Sequence, residues 1–137
     1  MKKFLFFIAA AIVAAGCATQ STTDKSELRF REDGTFKIAQ YTDLHWEEED
    51  PEGVEVIKNI IRDVTNAEKP DLIIFTGDVI CTSPAETGWR NLISLMNELG
   101  VPYAVTMGNH DPEFDLTREQ IFEILATDPL FLGEKGP

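Results

Sequence analysis

From Leu28 to Thr42 apolar and polar residues alternate, in the pattern LRFREDGTFKIAQYT. Leu28 and Phe30 share one face of an extended segment, and Phe36 and Ile38 share one face of a second, because strand side chains alternate with period two. Asp33-Gly34 between the two segments is a strong hairpin signal. From Val54 to Glu68 the period lengthens. Ile57, Ile60, Ile61 and Val64 fall at helical spacing. Pro70 closes that helix, because the residue before a proline avoids helical angles. The run DLIIFT then predicts a short strand buried on both faces. A second helix spans roughly 85–99, with Trp89, Leu92, Met96 and Leu99 on one stripe and Gly100 suited to its C-cap. PYAVT predicts a third strand. A last helix starts at Thr117, where Gln120 three residues on completes a capping box. Ile121, Ile124 and Leu125 give that helix its apolar face. A hairpin followed by strands that alternate with helices predicts an α/β fold, βαβαβ, with a mostly parallel sheet.

The first residues obey a different pattern. Lys2 and Lys3 precede an uncharged apolar run from Phe4 to Ala15, followed by Gly16-Cys17. A basic start, a short apolar stretch and small residues describe a secretory signal peptide. The run is short for a membrane span, which needs roughly 20 apolar residues. Residues 1–16 are therefore expected to be the signal peptide and 17–27 a polar tether. Residues 28–137 are expected to form the folded part. Ala14-Ala15-Gly16-Cys17 also resembles a bacterial lipobox, with Ala14 where leucine is usual. That resemblance implies a lipid on Cys17, attachment to a membrane and a place in the cell envelope. Cys81 is then the one remaining thiol, so no disulfide framework supports the fold.

The chain carries a net charge of −12, which becomes −14 once Lys2 and Lys3 leave with the first 16 residues. Nucleic acid is not an expected partner, because polyanion binding rests on Lys and Arg contacts to phosphate. Binding a phosphate ester would require local positive charge, which bound metal cations can supply.

Three polar clusters follow the three principal strands. Asp43-Leu44-His45 follows Tyr41-Thr42, Gly77-Asp78 follows IIFT, and Gly108-Asn109-His110-Asp111 follows YAVT. In a parallel sheet these strand ends share one edge, the edge at which ligands of open α/β sheets bind. Asp43 and Asp78 offer carboxylate oxygens, His45 an imidazole nitrogen and Asn109 an amide oxygen. That mixed set suits Mn, Fe or Zn better than a closed thiolate site would. An extended Asp43-Leu44-His45 places both ligands on one side. Gly77 and Gly108 allow sharp turns and close backbone approach. Each cluster alone is weak; their order and placement after strands give them weight. His45 and His110 are the only histidines in the chain, and both fall in these clusters. The acidic run Glu47-Glu48-Glu49-Asp50 reads as a solvated loop. Trp46 suits either a pocket wall or a packing role.

These motifs resemble the first three motifs of the calcineurin-like metallophosphoesterase superfamily. LRFREDGTFKIAQYTDLH and PDLIIFTGDV are most similar to its purple-acid-phosphatase-like subgroup. The resemblance implies the N-terminal half of a β-sandwich flanked by helices. It also implies phosphoester hydrolysis by a two-metal site and a metal-bound hydroxide, with two divalent or trivalent ions (Fe, Mn or Zn). Asp43 and His45 would bind one metal, Asp78 would bridge both, and Asn109 would bind the second. His110 would act at the leaving oxygen, with Asp111 orienting it. The implied substrate is a phosphoester, with a small molecule as the expected kind. Cys81 stands where purple acid phosphatases carry a metal-binding tyrosine, so no tyrosinate ligand is expected. Cys81 itself reads as a buried apolar residue. The downstream Gly-His-x-His motif of such enzymes is absent from the sequence. The chain is thus expected to be an incomplete fragment, weakly metallated and inactive by itself. The alternative is a non-catalytic surface lipoprotein with a vestigial metal site.

Overall fold

A computed structural model describes residues 27–136. The expected signal peptide, most of the expected tether and Cys17, the expected site of lipid attachment, lie outside the described residues. Among the described residues no helix is long and apolar enough to cross a membrane.

Among the described residues, three strands and three helices alternate. They are β1 (Ile38–Tyr41), α1 (Pro51–Glu68), β2 (Leu72–Thr76), α2 (Ala85–Leu99), β3 (Tyr103–Thr106) and α3 (Arg118–Leu125). The strands form one parallel sheet in the order β1-β2-β3. Tyr41 stands opposite Phe75, and Phe75 opposite Val105. The continuous apolar β2 is the central strand, with Ile73 and Phe75 fully buried. Side chains alternate across a strand, so Ile73, Phe75 and Tyr103 point to one face and form the core with Ile61, Trp89, Leu92 and Leu125. Tyr41 stacks on Phe75 with ring centroids 5.7 Å apart, and Phe75 meets Tyr103 edge-on. On the other face Ile38, Gln40 and Thr106 are exposed.

The helices begin and end where their caps place them. Asp50 accepts a hydrogen bond from the Gly53 N–H at 3.1 Å, and a proline follows it in the first turn of α1. That cap and proline start α1 at Pro51, ahead of the apolar periodicity that begins at Val54. Lys69, in the left-handed conformation, ends the helix just before Pro70. Gly100 caps α2 with a φ of 67°. Thr117 and Gln120 form the expected capping box at α3.

Two expectations need correction. Asp33-Gly34 does make a turn, closed by Gly34 N–H to Arg31 O and Arg31 N–H to Thr35 O, both at 2.9 Å. No strand forms before it, however, so the hairpin is a turn without its first strand. Phe30, 75% exposed, touches Phe36 but has no layer beneath it, and alternation without burial does not hold a strand. The turn is instead tied to the sheet by Asp71, whose carboxylate accepts from Arg31 Nε and from the Lys37 N–H. In α1 the buried positions are Val54, Ile61 and Thr65, while Ile60 is 52% exposed and Val64 lies at the exposed boundary. Periodicity identified the helix but set its buried face too far to one side.

Candidate metal centre

The carboxyl ends of β1, β2 and β3 lead into three loops that meet at one edge. The first two loops continue the parallel ladder beyond the strands. Asp43 N–H donates to Gly77 O, His45 N–H to Asp78 O and Trp46 N–H to Val79 O, each at 3.0 Å. This ladder brings one ligand atom each of Asp43, His45 and Asp78 to within 4.8 Å of one another. Two carboxylates and an imidazole at this spacing fit a cation of the Mn, Fe or Zn type.

The backbone at all three residues is left-handed, with φ of 52° at Asp43, 47° at His45 and 51° at Asp78. An extended Asp43-Leu44-His45 was expected; the two side chains converge through left-handed turns instead. Asp and His are among the few residues besides glycine enriched in that conformation. Each such residue still costs on the order of 1–3 kcal/mol, which persists only where the surroundings enforce it. The ladder supplies part of that enforcement. Gly77, at φ 99°, makes the turn before Asp78. Gly108 serves close approach: a Cβ there would lie 2.1 Å from Asp78 Oδ1.

The third loop folds onto the second. His110 N–H donates to Asp78 Oδ1 at 2.9 Å, and exposed Asn109 sits between Gly108 and His110 in the same loop. The His110 and His45 rings lie 5.7 Å apart. Asp43, His45 and Asp78 thus meet at one edge, and the loop that carries Asn109 and His110 packs beside them. Asp111 does not orient His110. It is fully buried, and its carboxylate accepts from the backbone N–H groups of Asp78, Val79, Ile80 and Gly108. The partner of His110 Nδ1 is Glu113, at 2.5 Å. Sequence reading passed over Glu113, although His110-x-x-Glu113 in a turn is a spacing that could have flagged it. The turn itself is closed by Glu113 N–H to His110 O at 3.0 Å.

The acidic run is not a plain solvated loop. Glu48 accepts from Trp46 Nε1 and from Asn91, Glu49 accepts from the Thr82 hydroxyl, and Asp50 caps α1. Glu47 differs: with His45 and Asp50 it lines a small cavity of about 160 Å³. Trp46 is fully buried, with Lys58 over its ring, so its role is packing. Cys81 is partly buried, with Sγ 3.8 Å from His45 Nδ1. Burial, followed by the charges of Asp111, Asp78, Glu47 and Glu113, pushes its thiol up to about 11. A larger cavity, about 520 Å³, opens between β3 and α3 beside Met107, Arg118 and Phe122, and none of the four expected ligands lines it.

Residues 36–134 match the calcineurin-like phosphoesterase family. The chain belongs to that family. Members of the calcineurin-like phosphoesterase family use a dinuclear metal site, and the converging group at the sheet edge is the candidate for it here. The chain is 34% identical over 132 residues to an Arabidopsis thaliana protein named probable inactive purple acid phosphatase 28, covering 80% of this chain and 32% of that one. It is 30% identical over 131 residues to phosphatase DCR2 of Saccharomyces cerevisiae, covering 84% of this chain and 23% of that one. It is 36% identical over 95 residues to the metallophosphoesterase YkuE of Bacillus subtilis, covering 68% of this chain and 32% of that one. The chain thus spans about a third or less of the length of these relatives.

Within this calcineurin-like phosphoesterase site His110 has an identifiable acid–base bias. Its hydrogen bond to Glu113 raises the imidazole pKa above the usual 6.5; burial opposes this, and the charges of Glu113, Asp78 and Asp111 add to the rise. A raised folded-state pKa favours the folded form fully below about 6.5, and that gain fades as pH rises through the higher folded value. E113Q should lower the His110 midpoint, read from its ring proton by NMR titration of the metal-free protein. An unchanged midpoint would show that Glu113 does not set it.

Proposed function

We propose that this polypeptide carries the metal-binding loops of a metal-dependent phosphoester hydrolase. Asp43, His45, Asp78 and Asn109 would hold the metal ions, and His110 would serve the leaving group. The observation that carries the proposal is the convergence of the Asp43, His45 and Asp78 ligand atoms within 4.8 Å. Bound cations would supply Lewis acidity and a nucleophile near neutral pH. The chain's own contribution is positional. Asp43 and Asp78 bring negative charge to the point where cations would collect, which an acidic chain needs before it can accept a phosphate ester. His110, held by Glu113 and biased toward its protonated form, can deliver a proton to the departing oxygen, a step typically worth about 10²–10⁴-fold.

A second reading is a non-catalytic protein that keeps the metal site. It is favoured by the names of three relatives from Arabidopsis thaliana, each termed a probable inactive purple acid phosphatase. Titration with Mn²⁺ or Fe²⁺ of a purified protein that carries the complete catalytic domain, followed by a chromogenic phosphomonoester assay, separates the two. Saturable binding with metal-dependent phosphate release supports the hydrolase. Binding without release supports the second reading, and absence of binding refutes the site.

A further inference from the structure

Asp111 is the one buried carboxylate at the site, and it reaches none of the expected metal ligands' side chains. Its Oδ1 accepts from Val79 N–H at 2.8 Å and Ile80 N–H at 3.1 Å. Its Oδ2 accepts from Asp78 N–H at 3.1 Å and Gly108 N–H at 2.7 Å. Three of these donors belong to the loop after β2 and one to the loop after β3. The carboxylate therefore joins the two loops that present Asp78 and Asn109. It grips the second loop at the left-handed residue Asp78, where the backbone is held in a conformation it would otherwise leave. The close approach of Gly108 to Asp78 leaves no room for the loops to slide.

We propose that Asp111 is a positioning residue for the metal centre: by gathering four backbone N–H groups from two loops, it pre-forms the paired turn that presents Asp78 and Asn109 before any cation arrives. This rests on the reading of Asp78 and Asn109 as ligands. Carboxylates behind a metal site commonly act by orienting ligand side chains, and their loss typically lowers metal affinity about 10–100-fold. Asp111 does the equivalent through the main chain. Asparagine cannot replace it, because its NH₂ group would face two backbone donors that need an acceptor.

Asp128 provides an internal control. It too is buried, and it accepts from Tyr103 OH, Asn97 Nδ2 and Leu130 N–H, groups that belong to none of the three metal loops. The test compares Zn²⁺ binding by calorimetry in wild type, D111N and D128N, at a temperature where circular dichroism shows all three folded. D111N should bind Zn²⁺ about 10–100-fold more weakly. D128N should melt earlier than wild type yet bind within about twofold of it. Unchanged affinity in D111N, or equal loss in both variants, overturns the proposal. Hydrogen exchange of the wild type supplies a measurement that needs no variant. The amides of Asp78, Val79, Ile80 and Gly108 should exchange slowly in metal-free protein and change little on adding Zn²⁺. Fast exchange that slows only with Zn²⁺ would mean the cation, not Asp111, organises the loops. If wild type binds no Zn²⁺, the ligand reading fails, and the exchange result alone decides whether Asp111 pre-forms the turn.

Discussion

In a protein that carries the complete catalytic domain, replacing Asp78 with asparagine should remove metal-dependent phosphate release while leaving the fold intact. The substitution is unusually clean at this position. Asp78 has a φ of 51°, and asparagine tolerates left-handed backbone at least as well as aspartate. Its side-chain oxygen can still accept from the His110 N–H, now bonded to Asp78 Oδ1. Its backbone N–H can still donate to Asp111. What disappears is one negative charge from a group of three close ligand atoms. Loss of one preorganised electrostatic group in an active site typically costs about 10²–10³-fold in turnover. The measurement is turnover of a chromogenic phosphomonoester at saturating Mn²⁺, with thermal melts of both proteins. Undiminished turnover would remove Asp78 from the site, and a collapsed melt would mean that the loss reports folding rather than metal binding.

How far the sequence could be read depended on how local each signal was. The bounds of α2, the Gly100 cap and the Thr117–Gln120 capping box rest on residues at most four positions apart, and all were read directly. The central strand was legible from the continuous apolar run LIIFT, although only the Ile73 and Phe75 face is fully buried and Ile74 and Thr76 on the other face are half-buried. The start of the chain was harder. Leu28 and Phe30 alternate like a strand, but burial decides whether alternation becomes structure, and these side chains remain 43% and 75% exposed. The same limit displaced the buried face of α1, where Ile60 points outward.

The site shows the same division. The convergence of Asp43, His45 and Asp78 was legible because each follows a strand, and parallel strands bring their ends together. The backbone conformation that aims these three was not legible. Extended and left-handed paths both satisfy the sequence, and the choice is made by hydrogen bonds to Gly77, Asp78 and Val79, about 33 residues away. Asp111 was misread for a related reason. In sequence it follows His110, so a role toward His110 was the natural expectation. Its actual donors include amides 31 to 33 residues away, and backbone N–H groups carry no residue identity for a sequence to reveal. Glu48 and Glu49 were hidden in the same way behind the appearance of a charge run, since their partners Asn91 and Thr82 lie far along the chain.

Gly108 to alanine is expected to damage both stability and metal binding, for a steric reason that can be isolated. A Cβ at this position would lie 2.1 Å from Asp78 Oδ1 and 2.5 Å from the Asp78 backbone nitrogen. The second of these is backbone, so no rotamer change relieves it. The loops must part, and parting them stretches the 2.7 Å bond from Gly108 N–H to Asp111. Overpacking typically costs about 1–3 kcal/mol, and loss of a hydrogen bond to a charged group adds about 1.5–3 kcal/mol. Together these are a large share of the roughly 5–15 kcal/mol that holds a small domain. Gly100 to alanine is the matched control. Gly100 has a φ of 67° with nothing within 4 Å of a built Cβ, so the substitution carries only the left-handed backbone penalty, about 1–2 kcal/mol. Urea melts and Zn²⁺ titrations of the two variants should therefore diverge. G100A should lose a little stability and keep its affinity, while G108A should lose several times more stability and bind the ion poorly even where it remains folded. If G108A melted and bound like wild type, the loops after β2 and β3 could not be in the contact that the geometry of the site requires.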